Sequence, residues 1–149
     1  MGICGAYRPG TGQLLSVVAP RIGGREFARL LRKLAARAQR TGRLLVVVLD
    51  NAQLHKGRTA RRVWAALRAW VRPFWLPAYC PDLNDIERIW KREKERYFAN
   101  DLARSPAAFL RRIQRRFRSL AHTQCRAGAP RRVTTIRISR MLKEILRAA

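Results

Sequence analysis

Acidic residues are scarce in this chain. Nine Asp and Glu stand against 33 Lys and Arg in 149 residues, a formal net charge of +24. No aspartate occurs before Asp50, and Glu26 is the only acid upstream of it. So few acids exclude a surface neutralised by its own ion pairs and point to a polyanionic partner, nucleic acid first. The excess is not a detachable tail: residues 1–99 carry 20 basic and seven acidic groups, and residues 100–149 carry 13 and two. Arginine outnumbers lysine 28 to five, a bias that GC-rich coding also produces, so charge alone indicates affinity for phosphate and not a task. Cysteine is limited to Cys4, Cys80 and Cys125, with no Cys-x-x-Cys pair, which excludes a disulfide framework or a zinc site and fits a reducing compartment. The longest apolar run, Leu44–Leu49, is far shorter than the roughly 20 residues a bilayer span requires, and no secretory leader is expected. These absences together predict a cytoplasmic protein without a membrane segment. A hydrophobic content of 48% excludes disorder and supplies a core for one domain.

The apolar residues that are present follow regular periods. Gly2–Ala6 and Gln13–Ala19 flank a turn-rich Tyr7–Gly12 and predict a hairpin. Phe27, Leu30, Leu31, Leu34, Ala35 and Ala38 recur at helical spacing, predicting a helix over Arg25–Arg40 that Thr41-Gly42 stops. The Leu44–Leu49 run then reads as a strand buried on both faces in the middle of a parallel or mixed sheet, with Asp50 at its C-terminal mouth. A helix from about Arg58 to Trp70 and a short strand from Val71 to Leu76 follow, the latter near a sheet edge because of Pro73. Further helices are predicted from about Asp85 to Phe98, from Ser105-Pro106 to about Thr123, and from Ile138 to Arg147. Trp64, Trp70, Trp75 and Trp90 read as core packing.

Asp50 and Glu87 are the candidate chemical residues, one at a strand end and one in the first turn of a helix, with 36 residues between them. Hard divalent cations settle where carboxylates converge at a polar cleft. Two structural roles compete with that reading. An Asp-Asn at a strand end closes an Asx-turn, and Asn84 followed three residues later by Glu87 is a capping-box pattern. From spacing alone the structural roles have the better odds.

A resemblance alters the balance. Leu45-Val46-Val47-Val48-Leu49-Asp50-Asn51-Ala52-x-x-His55, followed by Leu76-Pro77-x-Tyr79-x-Pro81-Asp82-Leu83-Asn84-x-Ile86-Glu87-x-x-Trp90-x-x-x-Lys94, resembles the catalytic domain of DDE transposases, nearest the bacterial insertion-sequence group related to mariner. The likeness extends more weakly over roughly residues 2 to 115. It implies an α/β, ribonuclease H-like mixed sheet flanked by helices, with basic C-terminal helices, that cuts and joins DNA using two Mg²⁺ or Mn²⁺ ions. By match, Asp50 is the second acid of the triad and Glu87 the third, both as metal ligands, and His55 is the histidine of the Asp-Asn-Ala-x-x-His motif. Neutral, His55 could orient a carboxylate or water, meet DNA, or only fix its loop. The implied partners are transposon-end and target DNA, with a homo-oligomer in the active complex.

The departures from the family pattern are Asp85 and Ala78 where it has proline, Cys80 where it has serine, and above all the missing first acid. That acid belongs on the fold's first, central strand, which precedes the hairpin. Glu26 is a poor substitute. Without that strand, its two neighbours face a gap about 10 Å wide, twice the interstrand spacing; either they close up and pair, or another polypeptide fills the slot. The expectation is therefore the C-terminal part of a transposase, impaired alone and completed by the missing N-terminal part in trans, with residues 1–125 as a partial catalytic domain and 126–149 as a basic extension. Lys91, Lys94 and, on the next helix, Arg111, Arg112 and Arg115 are the expected DNA contacts, Arg116 and Arg118 extending that arginine face and Arg88 being more doubtful as a contact. The competing reading is a non-catalytic basic nucleic-acid-binding protein or transposase remnant.

Overall fold

Four strands and five helices can be traced in the computed structural model, which describes residues 2–9, 11–78, 83–98 and 105–122. Strands β1 (Gly2–Arg8) and β2 (Gln13–Ala19) pair antiparallel as the predicted hairpin, from Gly2 opposite Ala19 to Arg8 opposite Gln13. Helix α1 (Gly24–Thr41) follows. The Glu26 carboxylate accepts the Gly23 N–H at 3.0 Å, so this acid caps the helix. Gly42 ends the helix in the left-handed region, at φ 62°, and its N–H reaches back to the carbonyls of Ala38 and Gln39.

Strand β3 (Leu45–Leu49) runs parallel to β4 (Val71–Trp75), and between them come a short α2 (Gln53–Lys56) and α3 (Arg58–Leu67). α3 stops three residues short of the expected Trp70, in a turn where the Trp70 N–H donates to the Leu67 carbonyl at 2.9 Å. Pro73 is tolerated because β4 has one partner strand among the described residues. Helix α4 (Asp85–Glu93) loosens into a π-helical turn over Lys94–Phe98, and α5 (Pro106–His122) starts where Ser105 Oγ accepts the Ala108 N–H at 3.2 Å. The expected helix over Ile138–Arg147 lies outside the described residues.

Two apolar clusters sit on opposite faces of the β1–β2 hairpin, as the period of two dictates. On one face Val17, with Cys4, Ala6 and Leu15, packs under α1, and this cluster continues through α3 to Leu49 and Val71 of the other sheet. On the other face Leu14, with Ile3, Tyr7 and Val18, packs under α4 and α5 through Ile89, Ile113, Phe117 and Leu120. The four tryptophans belong to these clusters as expected, Trp64 buried and Trp70, Trp75 and Trp90 packed against them. Cys4 is a free thiol whose pKa burial pushes up to about 11, with Glu26 adding to the rise, so it is inert as a nucleophile.

One expectation needs correction. β3 is not buried on both faces. The two sheets are separate, β1–β2 and β3–β4, and among the described residues no strand pairs β1 with β3. Helix α1 backs all four strands, so the sheets lie side by side beneath one helix without joining. Leu45, Val47 and Leu49 face the α1–α3 layer, whereas Val46 is left 46% exposed and Leu44, just before the strand, 45%. A run of valine and leucine is apolar enough for a central strand, but burial on its second face requires a neighbour that these residues do not supply.

Candidate active site

Asp50 follows the last residue of β3, and the chain turns at once into α2. Asp50 Oδ1 accepts the Ala52 N–H at 3.1 Å, so the Asx-turn is made. The same oxygen lies 2.9 Å from Nδ1 of His55, which is also 3.3 Å from the Asp50 carbonyl. Two oxygens that can only accept face that nitrogen, so Nδ1 carries the proton and donates. His55 is turned inward: its ring lies 4.8 Å from that of Phe27, and its carbonyl accepts the Trp64 indole N–H at 3.3 Å. The imidazole is thus fixed against α1 and α3 and holds one oxygen of Asp50. Among the described residues Oδ2 of Asp50 has no hydrogen bond, and the side chain is half exposed. Asn51 extends the anchorage, its amide donating to the Leu76 carbonyl at 2.8 Å.

Glu87 comes from α4, on the other side of the break between the sheets. What brings α4 there is Gly5 of β1. A methyl group at Gly5 would lie 2.9 Å from the end of the Trp90 ring and 3.0 Å from the Leu15 carbonyl, so only glycine lets the indole lie on the strand. Trp90, one turn beyond Glu87, also meets Phe117 with ring centroids 5.6 Å apart. The N-cap Asn84 makes no side-chain hydrogen bond, so the capping box that the sequence pattern allowed is not formed and Glu87 is left to other uses. The carboxyl group of Glu87 is held above the usual carboxylate range, first by desolvation against the surrounding chain and then by the negative charge of Asp50. The structure therefore brings the two acids within electrostatic reach of one another. Asp85, in the same first turn, has a buried Oδ1 with no partner among the described residues.

The shift in Glu87 gives a sign for the pH dependence of stability. A carboxyl whose folded pKa exceeds its unfolded value binds its proton more tightly when folded, so stability falls as pH rises through the window from the ordinary value to the raised one. Urea midpoints measured across that window should decline with pH in the wild type, and Glu87→Gln should remove that part of the slope.

The basic residues expected to meet DNA take several positions. Lys91 and Lys94 are exposed on α4 and the turn that continues it, and Arg88 is half-buried. Arg111, Arg112 and Arg115 are exposed on α5, which packs on β2. Arg116 departs from the uniform arginine face expected of that helix. It turns back to Glu93, its Nε 2.8 Å from Oε2 and its terminal nitrogen 3.4 Å from Oε1. Glu93 is 2% exposed and also lies 3.5 Å from Arg92 Nε. The sequence did carry a signal for this, an acid on the apolar stripe of α4, but nothing in it named the partner. Among the described residues no group of three or more His, Cys, Asp or Glu is gathered as a metal cluster, and no helix is long and apolar enough to cross a membrane.

The chain is thus a strongly basic mixed α/β protein in which a carboxylate at a strand mouth and one in a helix's first turn come within electrostatic reach. The chain belongs to the DDE superfamily endonucleases, whose family model matches residues 1–109, and within them to the transposase group typified by insertion elements related to mariner. It is similar to the insertion element IS630 uncharacterized 39 kDa protein of Shigella sonnei, at 29% identity over 89 residues. That match covers 60% of this chain and 25% of the relative, so the chain spans about a quarter of the curated protein it matches. No solved structure matches the chain.

Proposed function

We propose that this chain is the C-terminal part of a DDE transposase, a partial ribonuclease H-like catalytic domain to about residue 125 with a basic extension over 126–149, the latter outside the described residues. In this reading Asp50 and Glu87 are two of three acids that hold Mg²⁺ or Mn²⁺ for DNA strand cleavage and transfer. The observation that carries it is that Glu87, from a distant part of the chain, is brought close enough to Asp50 for the Asp50 charge to add to the desolvation that raises its carboxyl pKa, an arrangement a shared cation would relieve. The donor set fits a hard cation, because Asp50 offers Oδ2 while Ala52 and His55 hold Oδ1. His55 then acts by orienting Asp50. Divalent ions bound there would activate a water and neutralise a leaving oxygen.

The third acid is supplied by a strand seated between β1 and β3. A strand parallel to β3 ends beside Asp50, so an aspartate at its C-terminus completes the site. Support comes from the unjoined sheets under one helix and from the exposed Val46. Lys91 and Lys94, with Arg111, Arg112 and Arg115, hold the backbone of the transposon-end or target duplex, and the active complex is an oligomer.

Mn²⁺ titration followed by electron paramagnetic resonance tests the reading. The wild type should bind Mn²⁺, and Asp50→Asn and Glu87→Gln should each weaken binding by about tenfold or more. Equal affinity in all three proteins, with duplex binding retained or raised in the variants, would favour a non-catalytic basic protein and end the catalytic assignment.

A further inference from the structure

We propose that the outer face of the α1–α3 layer is a second duplex-binding surface, separate from the α4–α5 face and independent of the metal site. The buried positions of α1 (Phe27, Ala28, Leu30, Leu31, Leu34, Ala35 and Ala38) fix which side of the helix looks outward. On that side stand Arg25, Arg29 and Arg32, all exposed, with Lys33 exposed at the flank where its Nζ donates to the Ser16 carbonyl at 3.4 Å, and α3, packed beside α1, exposes Arg58 and Arg62. Across α1, α2 and α3 the only acid is Glu26, already engaged by the Gly23 N–H. The pairs Arg25/Arg29, Arg29/Lys33 and Arg58/Arg62 set like charges one turn apart, an arrangement that destabilises a helix left in water and suits one laid against phosphate.

The surface also selects the kind of polyanion. Single-stranded nucleic acid is gripped by exposed aromatic rings, and this layer has none, since Phe27 and Trp64 are buried. An anionic membrane takes an apolar edge on the same helix, yet the large exposed apolar residues among those described, Leu44 and Val46, belong to neither helix. What remains is a row of charge without bases to read or lipid to enter, which is the requirement of a duplex backbone. The stripe from Arg25 to Lys33 spans about 12 Å at 1.5 Å per residue, the length of about three phosphates along one strand.

The two basic faces cannot share one straight duplex. The clusters under α1 and under α4–α5 lie on opposite faces of the β1–β2 hairpin, so a sheet separates the layers. With helices 10–12 Å thick on each side of it, the outer faces are roughly 30 Å apart. The chain would therefore hold two duplexes at once, one on each side.

Fluorescence anisotropy with a 16-bp duplex of arbitrary sequence, in EDTA so that no metal contributes, tests this with the full chain. Arg25→Gln/Arg29→Gln/Lys33→Gln should reduce the slope of log affinity against log salt by about 2–3, weaken binding at least tenfold at low salt, and lower the limiting stoichiometry from two duplexes to one. Its thermal midpoint should be unchanged or raised, which separates lost contacts from lost fold. Lys91→Gln/Lys94→Gln should weaken the other duplex, and the two sets should combine additively. An unchanged slope and stoichiometry in the α1 variant overturns the proposal, as does a variant that loses only its affinity for phosphatidylserine vesicles. Mn²⁺ binding at Asp50 and Glu87 is read separately, so either proposal can fail while the other stands.

Discussion

Extending the chain with an apolar strand that ends in aspartate and can reach the space between β1 and β3 is expected to raise its thermal midpoint and switch on Mg²⁺-dependent nicking of duplex DNA. The physical basis is the open edge of β3. Val46 and Leu44 each keep nearly half of their surface in water, and β1 and β3 each have one edge with no strand partner among the described residues. Covering a fully exposed side chain of this size contributes about 1.5–3 kcal/mol, so roughly half of that is available at each. New ladder hydrogen bonds add about 0.5–1.5 kcal/mol apiece, offset by about 1–2 kcal/mol per residue ordered. A net gain of about 2 kcal/mol would move the midpoint up by roughly 4–8 °C in a chain of this size. Two variants of the added strand separate folding from chemistry. Changing its terminal Asp to Asn should keep the thermal gain and abolish nicking, and a proline at its centre should lose both. No thermal gain from the unaltered strand, with Val46 still accessible to solvent, would sink the idea of a strand slot.

The second large effect concerns the buried ion pair. Arg116→Met should destabilise the chain by about 3 kcal/mol, measured as a fall in the urea midpoint at constant slope. Glu93 is 2% exposed and takes both carboxylate oxygens to Arg116, so removing the guanidinium strands a charge in the core with the 3.5 Å approach of Arg92 left, among the described residues, to compensate. The figure sits at the low end for a broken buried pair because the Arg116 side chain keeps 28% of its own exposure and Arg92 remains. Glu93→Leu/Arg116→Met should recover most of the loss, since apolar packing replaces a pair whose desolvation offsets much of its attraction. Equal destabilisation in the single and double variants would mean that packing, and not charge, joins α4 to α5 here. Glu93 lies about one and two-thirds turns beyond Glu87 on α4, so the single variant should also disturb the acid's position.

Local chemistry made much of this legible from sequence. The turn residues between Tyr7 and Gly12, the 3.6-residue period of Phe27 to Ala38 and the Ser105-Pro106 start each act over a few residues and gave the hairpin, α1 and α5. Asp50 and Glu87 stood out as candidates only because their flanking residues follow a known pattern; spacing alone favoured a turn and a cap. The turn is real and the cap is not, which no local rule distinguishes. The inward turn of Arg116 was missed because an arginine-rich helix face looks alike at every position until a buried acid selects one of them.

By itself the sequence determined the elements, their order, the excess of positive charge and the two acids, because periodicity, capping and composition are properties of neighbours along the chain. Only the tertiary structure decided that Glu87 comes within reach of Asp50, through Trp90 lying on Gly5, and that His55 turns inward to hold Oδ1. It alone decided, too, that a strand apolar enough for the middle of a sheet has an open side. Burial depends on what stands opposite a residue in space, and neither an apolar run nor a helical stripe contains that information.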